Sequence, residues 1–227
     1  MQSGYRAPRR RLQCTGWRCG IALVLLVAAA LVQAAGPAPI ARTGPQRTVL
    51  VMGDSLSAAY GLAPSQGWVA LTGARLARDK PGWRMVNASI SGETSAGGAA
   101  RVVREVVLHR PAVVVIALGA NDGLRGLPLR QTRTNLARMI GAAHGIGAKV
   151  LLIGMRMPPN YGEAYTRDFE RSFPQLAQRF DTALLPFLLE PIARDRNAFQ
   201  DDNLHPVAGV QPVLRDHVWT ALAPLLE

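Results

Sequence analysis

No acidic residue precedes Asp54 in this chain of 227 residues, and no cysteine follows Cys19. The first absence isolates a positive head. Arg6, Arg9, Arg10, Arg11 and Arg18 lead into the apolar run "GIALVLLVAAALV" (20–32), which closes on the small residues "QAAG". That order describes a secretory signal peptide with cleavage near Ala34 or Ala35. A membrane anchor is the competing reading, but the run 20–32 is short of the roughly 20 residues that a spanning helix needs. The expected organisation is therefore a leader over 1–35, a Pro/Gly linker "GPAPIARTGPQR" over 36–47, and one domain over 48–227. Such a protein would be periplasmic or secreted. The arginine triplet 9–11 suits a general secretory or a twin-arginine route equally.

With Cys14 and Cys19 both in the leader, the mature chain has no disulfide, no thiolate nucleophile and no Cys-rich metal site. G-x-G-x-x-G, G-x-x-x-x-G-K-[ST] and H-E-x-x-H are also missing, and so is a G-x-S-x-G elbow. No cofactor and no metal are expected. The formal charge of +11 falls to +6 without the five leader arginines, with 21 basic residues against 15 acidic ones. Those bases are scattered, with no zinc-finger spacing and no aromatic RNA-binding motif, so nucleic acid is not an expected partner. Weak contact with an anionic membrane surface is compatible with the balance. No internal repeat and no second domain is visible, and a monomer is expected.

What is present is an alternation. Apolar runs at 48–52, 84–89, 112–118, 149–154 and 182–186 read as strands buried on both faces, as in a parallel sheet. Helical stretches lie between and after them, at 67–79, 97–110, 132–145, 162–179 and 207–223. In these, Val69, Leu71, Leu76 and Ala77 should share one side of the first. Val102, Val103, Val106 and Val107 should share one side of the second, and Leu136, Met139, Ile140 and Ala143 one side of the third. Strand–helix alternation of this kind predicts a doubly wound α/β sheet with helices on both faces. Ligand groups should then gather at the carboxyl ends of the strands.

Polar groups do follow those ends. "GDSLSAAYG" (53–61) leaves the first strand through Asp54 and Ser55, where a helix should be starting. Asp54, Ser55 or Ser57 could cap that helix, or Ser55 could be a nucleophile held at the mouth of the sheet. "NASISGETSAGG" (87–98) brings Gly92 into the turn after the second strand, and the third runs into Asn121 and Asp122. The N–H groups of Ser55 and Gly92 and the Asn121 amide could donate to a developing oxyanion. Near the chain end, "QDDNLHP" (200–206) sets Asp202 three residues before His205. One turn could bring that carboxylate to the imidazole Nδ1–H, leaving Nε2 to take a proton from a serine. A helix cap with an incidental histidine accounts for the same residues. His109 and His144 sit at helix ends, and His217 reads as part of a solvated face.

The four blocks together resemble the SGNH, or GDSL, hydrolases, in which Ser, Gly, Asn and His come from four separated motifs. The resemblance spans roughly 48–220, and "RMPPNYGEAY" (156–165) and "LLPFLLE" (184–190) are similar to the exported bacterial acyl-CoA thioesterase I/arylesterase/lysophospholipase subgroup. One departure is Ala120, where many members carry a second glycine. The resemblance implies a three-layer α/β/α sandwich, flavodoxin-like, with a five-stranded parallel sheet in order 2-1-3-4-5. It implies Ser55 as nucleophile, His205 as base and Asp202 as its orienter, with Ser55, Gly92 and Asn121 forming the oxyanion hole. The substrate would be a small-molecule or lipid ester or thioester. Leu124, Leu127, Met155, Met157, Pro158 and Tyr161 are candidates for an acyl groove. A carbohydrate O-deacetylase with the same triad is the nearest rival, and it would want a more polar cleft. A non-catalytic binding module on the same fold would not need Ser, Asp and His together.

Overall fold

Each of the five apolar runs forms a strand. The computed structural model describes residues 46–227; the expected leader, its cleavage point and nearly all of the 36–47 linker lie outside the described residues. β1 (Arg47–Gly53), β2 (Trp83–Asn87), β3 (Val113–Ala117), β4 (Lys149–Ile153) and β5 (Ala183–Leu185) make one sheet in the order β2-β1-β3-β4-β5. Every pairing is parallel. Leu50, Val51, Val114 and Val115 are fully buried, as central strands covered on both faces must be. At the edge, β2 buries only Trp83.

The helices are α1 (Trp68–Asp79), α2 (Ser95–His109), α3 (Ala120–Leu124), α4 (Leu129–His144), α5 (Glu163–Phe180) and α6 (Gln211–Leu222). α1 packs on α6, while α2, α4 and α5 pack in series, giving the two outer layers of the sandwich. Leu136, Met139, Ile140 and Ala143 form the buried stripe of α4 as expected.

Two other stripes differ from expectation. On α2, Val102 and Val106 point inward with Ala99, but Val103 and Val107 are more than 60% exposed. They lie about 100° further round the helix, and Glu105 takes the buried place beside Val106. That burial is tolerable because Arg101, Arg104 and His109 all lie within ion-pair distance of Glu105. On α1, Ala77 is exposed and Leu71 half-buried, while Thr72 is fully buried. The Thr72 hydroxyl donates to the Trp68 carbonyl at 2.7 Å, which removes the cost of burying it.

The departure with most bearing on function is at the first strand end. No helix begins at Ser55; residues 55–61 are turns, and α1 starts only at Trp68. None of Asp54, Ser55 and Ser57 is therefore a cap of α1. The register explains what the corner does instead. Gly53 pairs with Ala117, so Asp54 and Ser55 emerge beside the chain that becomes α3.

Candidate active site

Asp54 closes the corner on itself. Its Oδ1 accepts from Leu56 N–H at 3.1 Å, and its carbonyl accepts from Ala58 N–H at 2.9 Å. Gly53 is required by space rather than by φ: a Cβ there would sit 2.5 Å from Ser57 Oγ. Ser57 is 1% exposed, and its hydroxyl has no hydrogen-bond partner among the described residues. Ser55, by contrast, is half-exposed at the mouth of the sheet.

The His205 loop reaches across to it. His205 Nε2 lies 2.8 Å from Ser55 Oγ, and Nδ1 lies 2.6 Å from Asp202 Oδ2. The other oxygen of Asp202 accepts from the N–H groups of Leu204 (2.9 Å) and His205 (3.0 Å). The three-residue spacing is thus a tight turn, with Asn203 in the left-handed region at φ +56. Desolvation works to raise the Asp202 pKa, but the backbone and side-chain bonds with His205 and the Leu204 N–H outweigh it and hold the carboxyl at about 2. Asp202 is therefore an anion at any working pH. Pro206 does not open the last helix; it is buried, bridged to Phe199, and α6 begins at Gln211 after a short 3-10 turn. The Tyr60 ring lies 4.5 Å from that of His205, covering the imidazole from the serine corner.

The second and third blocks are stitched together. Gly92 is left-handed at φ +77, a conformation that favours glycine, and only Arg125 comes near the place a Cβ would occupy. Asn121 Nδ2 donates to the Glu93 carbonyl at 3.0 Å, and Arg125 donates to the Gly92 carbonyl at 3.0 Å. Beneath them, the buried Asp122 carboxylate accepts from Ser95 N–H (2.7 Å), Ser95 Oγ (2.5 Å) and Thr132 Oγ1 (3.2 Å). Asp122 thereby caps α2 from α3 and ties both to α4. In the sequence Asp122 stood out only as a polar residue past the third strand. A short helix read as a turn hides which way its side chains point.

Asp54 differs from Asp202 in its surroundings. It is 2% exposed, and burial pushes its pKa up to about 6 against the opposing Leu56 N–H and the nearby His205. Its Oδ2 is 3.5 Å from Asn121 Nδ2.

A cavity of about 430 Å³ opens from Ser55, His205 and Asn121. Of the expected groove, Leu124, Met155, Met157 and Pro158 line it; Leu127 and Tyr161 do not. The Tyr161 hydroxyl instead donates to the Leu124 carbonyl at 3.1 Å. Leu127 lies past the end of α3, its N–H bonded to the Asp122 carbonyl. Leu56, Phe187, Leu189 and Leu204 also line it, none of them expected from the sequence, and Arg156 and Asn203 add polar groups to a mostly apolar wall. "LLPFLLE" was visible as a block, but which of its side chains face the cavity depends on the turn after β5. His217 is also reassigned: it is half-buried, with Nε2 2.9 Å from the Phe187 carbonyl, and braces that turn. Among the described residues no group of His, Cys, Asp and Glu is placed to hold a metal.

A serine hydroxyl, imidazole and carboxylate in line at the carboxyl edge of a parallel sheet define a serine hydrolase. The chain belongs to the GDSL-like lipase/acylhydrolase family, whose model matches residues 51–209, and it is a serine ester hydrolase of that family. It is 51% identical to the esterase TesA of Pseudomonas aeruginosa over 180 residues, 79% of this chain and 90% of that protein. It is 40% identical to thioesterase 1/protease 1/lysophospholipase L1 of Escherichia coli over 184 residues, 79% of this chain and 85% of that one. Among solved structures, the psychrotrophic esterase EstA from a Pseudoalteromonas species superposes with a TM-score of 0.76 at 38% identity, over 80% of this chain and 99% of that one.

Proposed function

We propose that this enzyme hydrolyses carboxylic esters and thioesters of acyl chains through an acyl-enzyme on Ser55. The observation that carries the reading is the unbroken series Asp202–His205–Ser55, with contacts of 2.6 and 2.8 Å. Ser55 Oγ attacks the carbonyl carbon as His205 Nε2 takes the hydroxyl proton. Asp202 holds the ring through Nδ1–H and stabilises the imidazolium. The Ser55 and Gly92 N–H groups and the Asn121 amide receive the oxyanion. Collapse expels the alcohol or thiol with the proton from Nε2. Water, deprotonated by the same nitrogen, then opens the acyl-enzyme and restores Ser55.

The acyl moiety is argued from the cavity, whose lining of Leu56, Leu124, Met155, Met157, Phe187 and Leu189 suits a hydrocarbon chain. That lining argues against the carbohydrate O-deacetylase reading. It agrees with the relatives named for esterase, thioesterase and lysophospholipase activity. Turnover of p-nitrophenyl esters of graded chain length tests it. Rates that rise from acetate into medium chains are expected, and preference for acetate over all longer esters would favour the rival. We also propose export, on the basic head and apolar run of residues 1–35. N-terminal sequencing of the mature protein should begin near Ala35 or Gly36, and an intact Met1 on membrane-embedded protein would refute it.

A further inference from the structure

On the α4/α5 flank, a groove of about 530 Å³ is lined by Arg130, Arg133, Arg138 and Arg179, with Ala137 and Leu176 on its floor. No carboxylate lines it, and none of the four guanidinium groups makes an ion pair within the described residues. Arg75, Arg101, Arg156, Arg167 and Arg215 each meet a carboxylate, and other arginines such as Arg110 and Arg194 stand unpaired among the described residues; what sets the groove apart is that four guanidinium groups line one trough. α4 contains no acidic residue; of the three on α5, Glu163 and Glu170 are engaged by Arg167 and Arg156, and Asp168 is not among the residues that line the groove. Four like charges along one trough concentrate positive potential there, which favours an external anion. We propose that this groove docks the enzyme on phosphate-bearing anionic lipid surfaces.

The occupant follows by charge and chemistry. Residues 1–45 carry no carboxylate to offer a guanidinium groove. A second copy is disfavoured by the net positive charge. Single-stranded nucleic acid would need aromatic stacking platforms, and no aromatic ring lines the groove. A guanidinium rim over an apolar floor fits phosphodiester headgroups with their glycerol carbons beneath. The groove shares no lining residue with the catalytic cavity, so the anion it takes is separate from the ester being cleaved.

Flotation with vesicles tests the proposal independently of turnover. All binding is measured in a Ser55→Ala background, so that lipid is not consumed and the result does not rest on the hydrolase reading. Vesicles of phosphatidylcholine with 30 mol% phosphatidylglycerol (a chosen composition) should bind the protein, and phosphatidylcholine alone should not. Moderate salt should release it, since surface charges are then screened. Each Arg→Gln change should lower partitioning about fivefold, so R130Q/R138Q/R179Q should lose about a hundredfold. That triple variant spares Arg133, which donates to Ser172 Oγ and helps join α4 to α5. The same substitutions with Ser55 intact should leave p-nitrophenyl butyrate turnover unchanged, which shows that the fold survives. Vesicle binding within twofold of the parent would overturn the proposal. So would equal binding to neutral vesicles, tighter binding to single-stranded DNA than to anionic vesicles, or displacement by inorganic phosphate at constant ionic strength.

Discussion

The two halves of the active site are built in opposite ways. On the serine side, Asp54 and Asp122 are each 2% exposed, and Asn121, Asp122 and Arg125 stitch α3 and its end to the turn before α2 and to Ser95. On the histidine side, Asp202 to Leu204 are exposed, and the loop is held by the Phe199–Pro206 bridge and by backbone bonds from Gln200 and Val207. The same residue type therefore titrates in opposite directions: burial lifts Asp54 to about 6, while hydrogen bonds hold Asp202 at about 2. The buried half holds the groups to which we assign the oxyanion, and the exposed half presents the imidazole to which we assign the proton, poised by local bonds. Substitutions on the two sides should differ in what they disturb.

The largest effect is expected where the halves meet. Ser55→Ala should lose about 10⁶ of kcat with the fold unchanged, because the base then has nothing to activate. A serine-directed phosphonate should label Ser55 alone; Ser57 is too buried to react. Labelling at Ser57 or Ser91 would break the assignment.

Next is the exposed side. Asp202→Asn should cost about 10⁴ in kcat, since the imidazole loses the partner that sets its tautomer. Unfolding midpoints should fall only modestly, because Asn keeps an oxygen for the Leu204 and His205 N–H groups and exposure screens the lost charge. Asp201 makes no side-chain contact with His205, so Asp201→Asn should be nearly silent in the same kinetic assay. A crippled Asp201→Asn would show that the wrong carboxylate has been chosen.

On the buried side, Asn121→Ala removes one oxyanion donor and should cost about 10²–10³ in kcat. Asp122→Asn should cost less kcat, about 10-fold to 100-fold through displacement of its neighbours, but it should also destabilise. An amide replacing one oxygen points N–H at the N–H or hydroxyl of Ser95, which costs about 1–3 kcal/mol. Urea melts alongside kcat and KM separate these. If Asp122→Asn melts early but keeps full kcat, the stitched unit is structural only.

The comparison also explains which parts of the molecule could be read in advance. Strands β1, β3 and β4 were legible because double burial leaves an uninterrupted apolar signature in the sequence. The meeting of Ser55, His205 and Asp202 was legible because strand ends and a three-residue spacing are local properties. What escaped was non-local. The network of Asp122, Ser95 and Thr132 joins three helices, and no periodicity announces a buried polar residue that is satisfied by distant partners. The cavity wall from Phe187 and Leu189 depends on how the turn after β5 folds back, with His217 bracing it. The outward Val103 and Val107 on α2 were misplaced because a continuous apolar run on a helix does not say which stripe the sheet will cover.

The smallest effect should come from Asp54, and it should be visible only as a dependence on pH. Its folded pKa of about 6 lies above the ordinary value of 3.8, so between those values the folded protein holds a proton that the unfolded chain has released. Stability contributed by the neutral carboxyl is therefore present at low pH and is lost as pH rises from about 4 towards 6. The shift corresponds to a few kcal/mol at most, on the order of 1.4 kcal/mol per unit. Asp54→Asn retains an oxygen to accept from Leu56 N–H but has no proton to lose. The difference in unfolding free energy between the variant and the wild type, measured in urea at closely spaced pH values, should grow in the variant's favour from pH 4 to pH 7 (a range bracketing both pKa values) and then level off. Below pH 4 the opposing protonation of Asp202 takes over and lowers the stability of both proteins alike, since its folded pKa of about 2 is depressed. Parallel curves for the two proteins between pH 4 and 7 would show that the Asp54 carboxyl is ionised in the fold throughout. The contrast between a buried and an exposed carboxylate would then fail on its buried side.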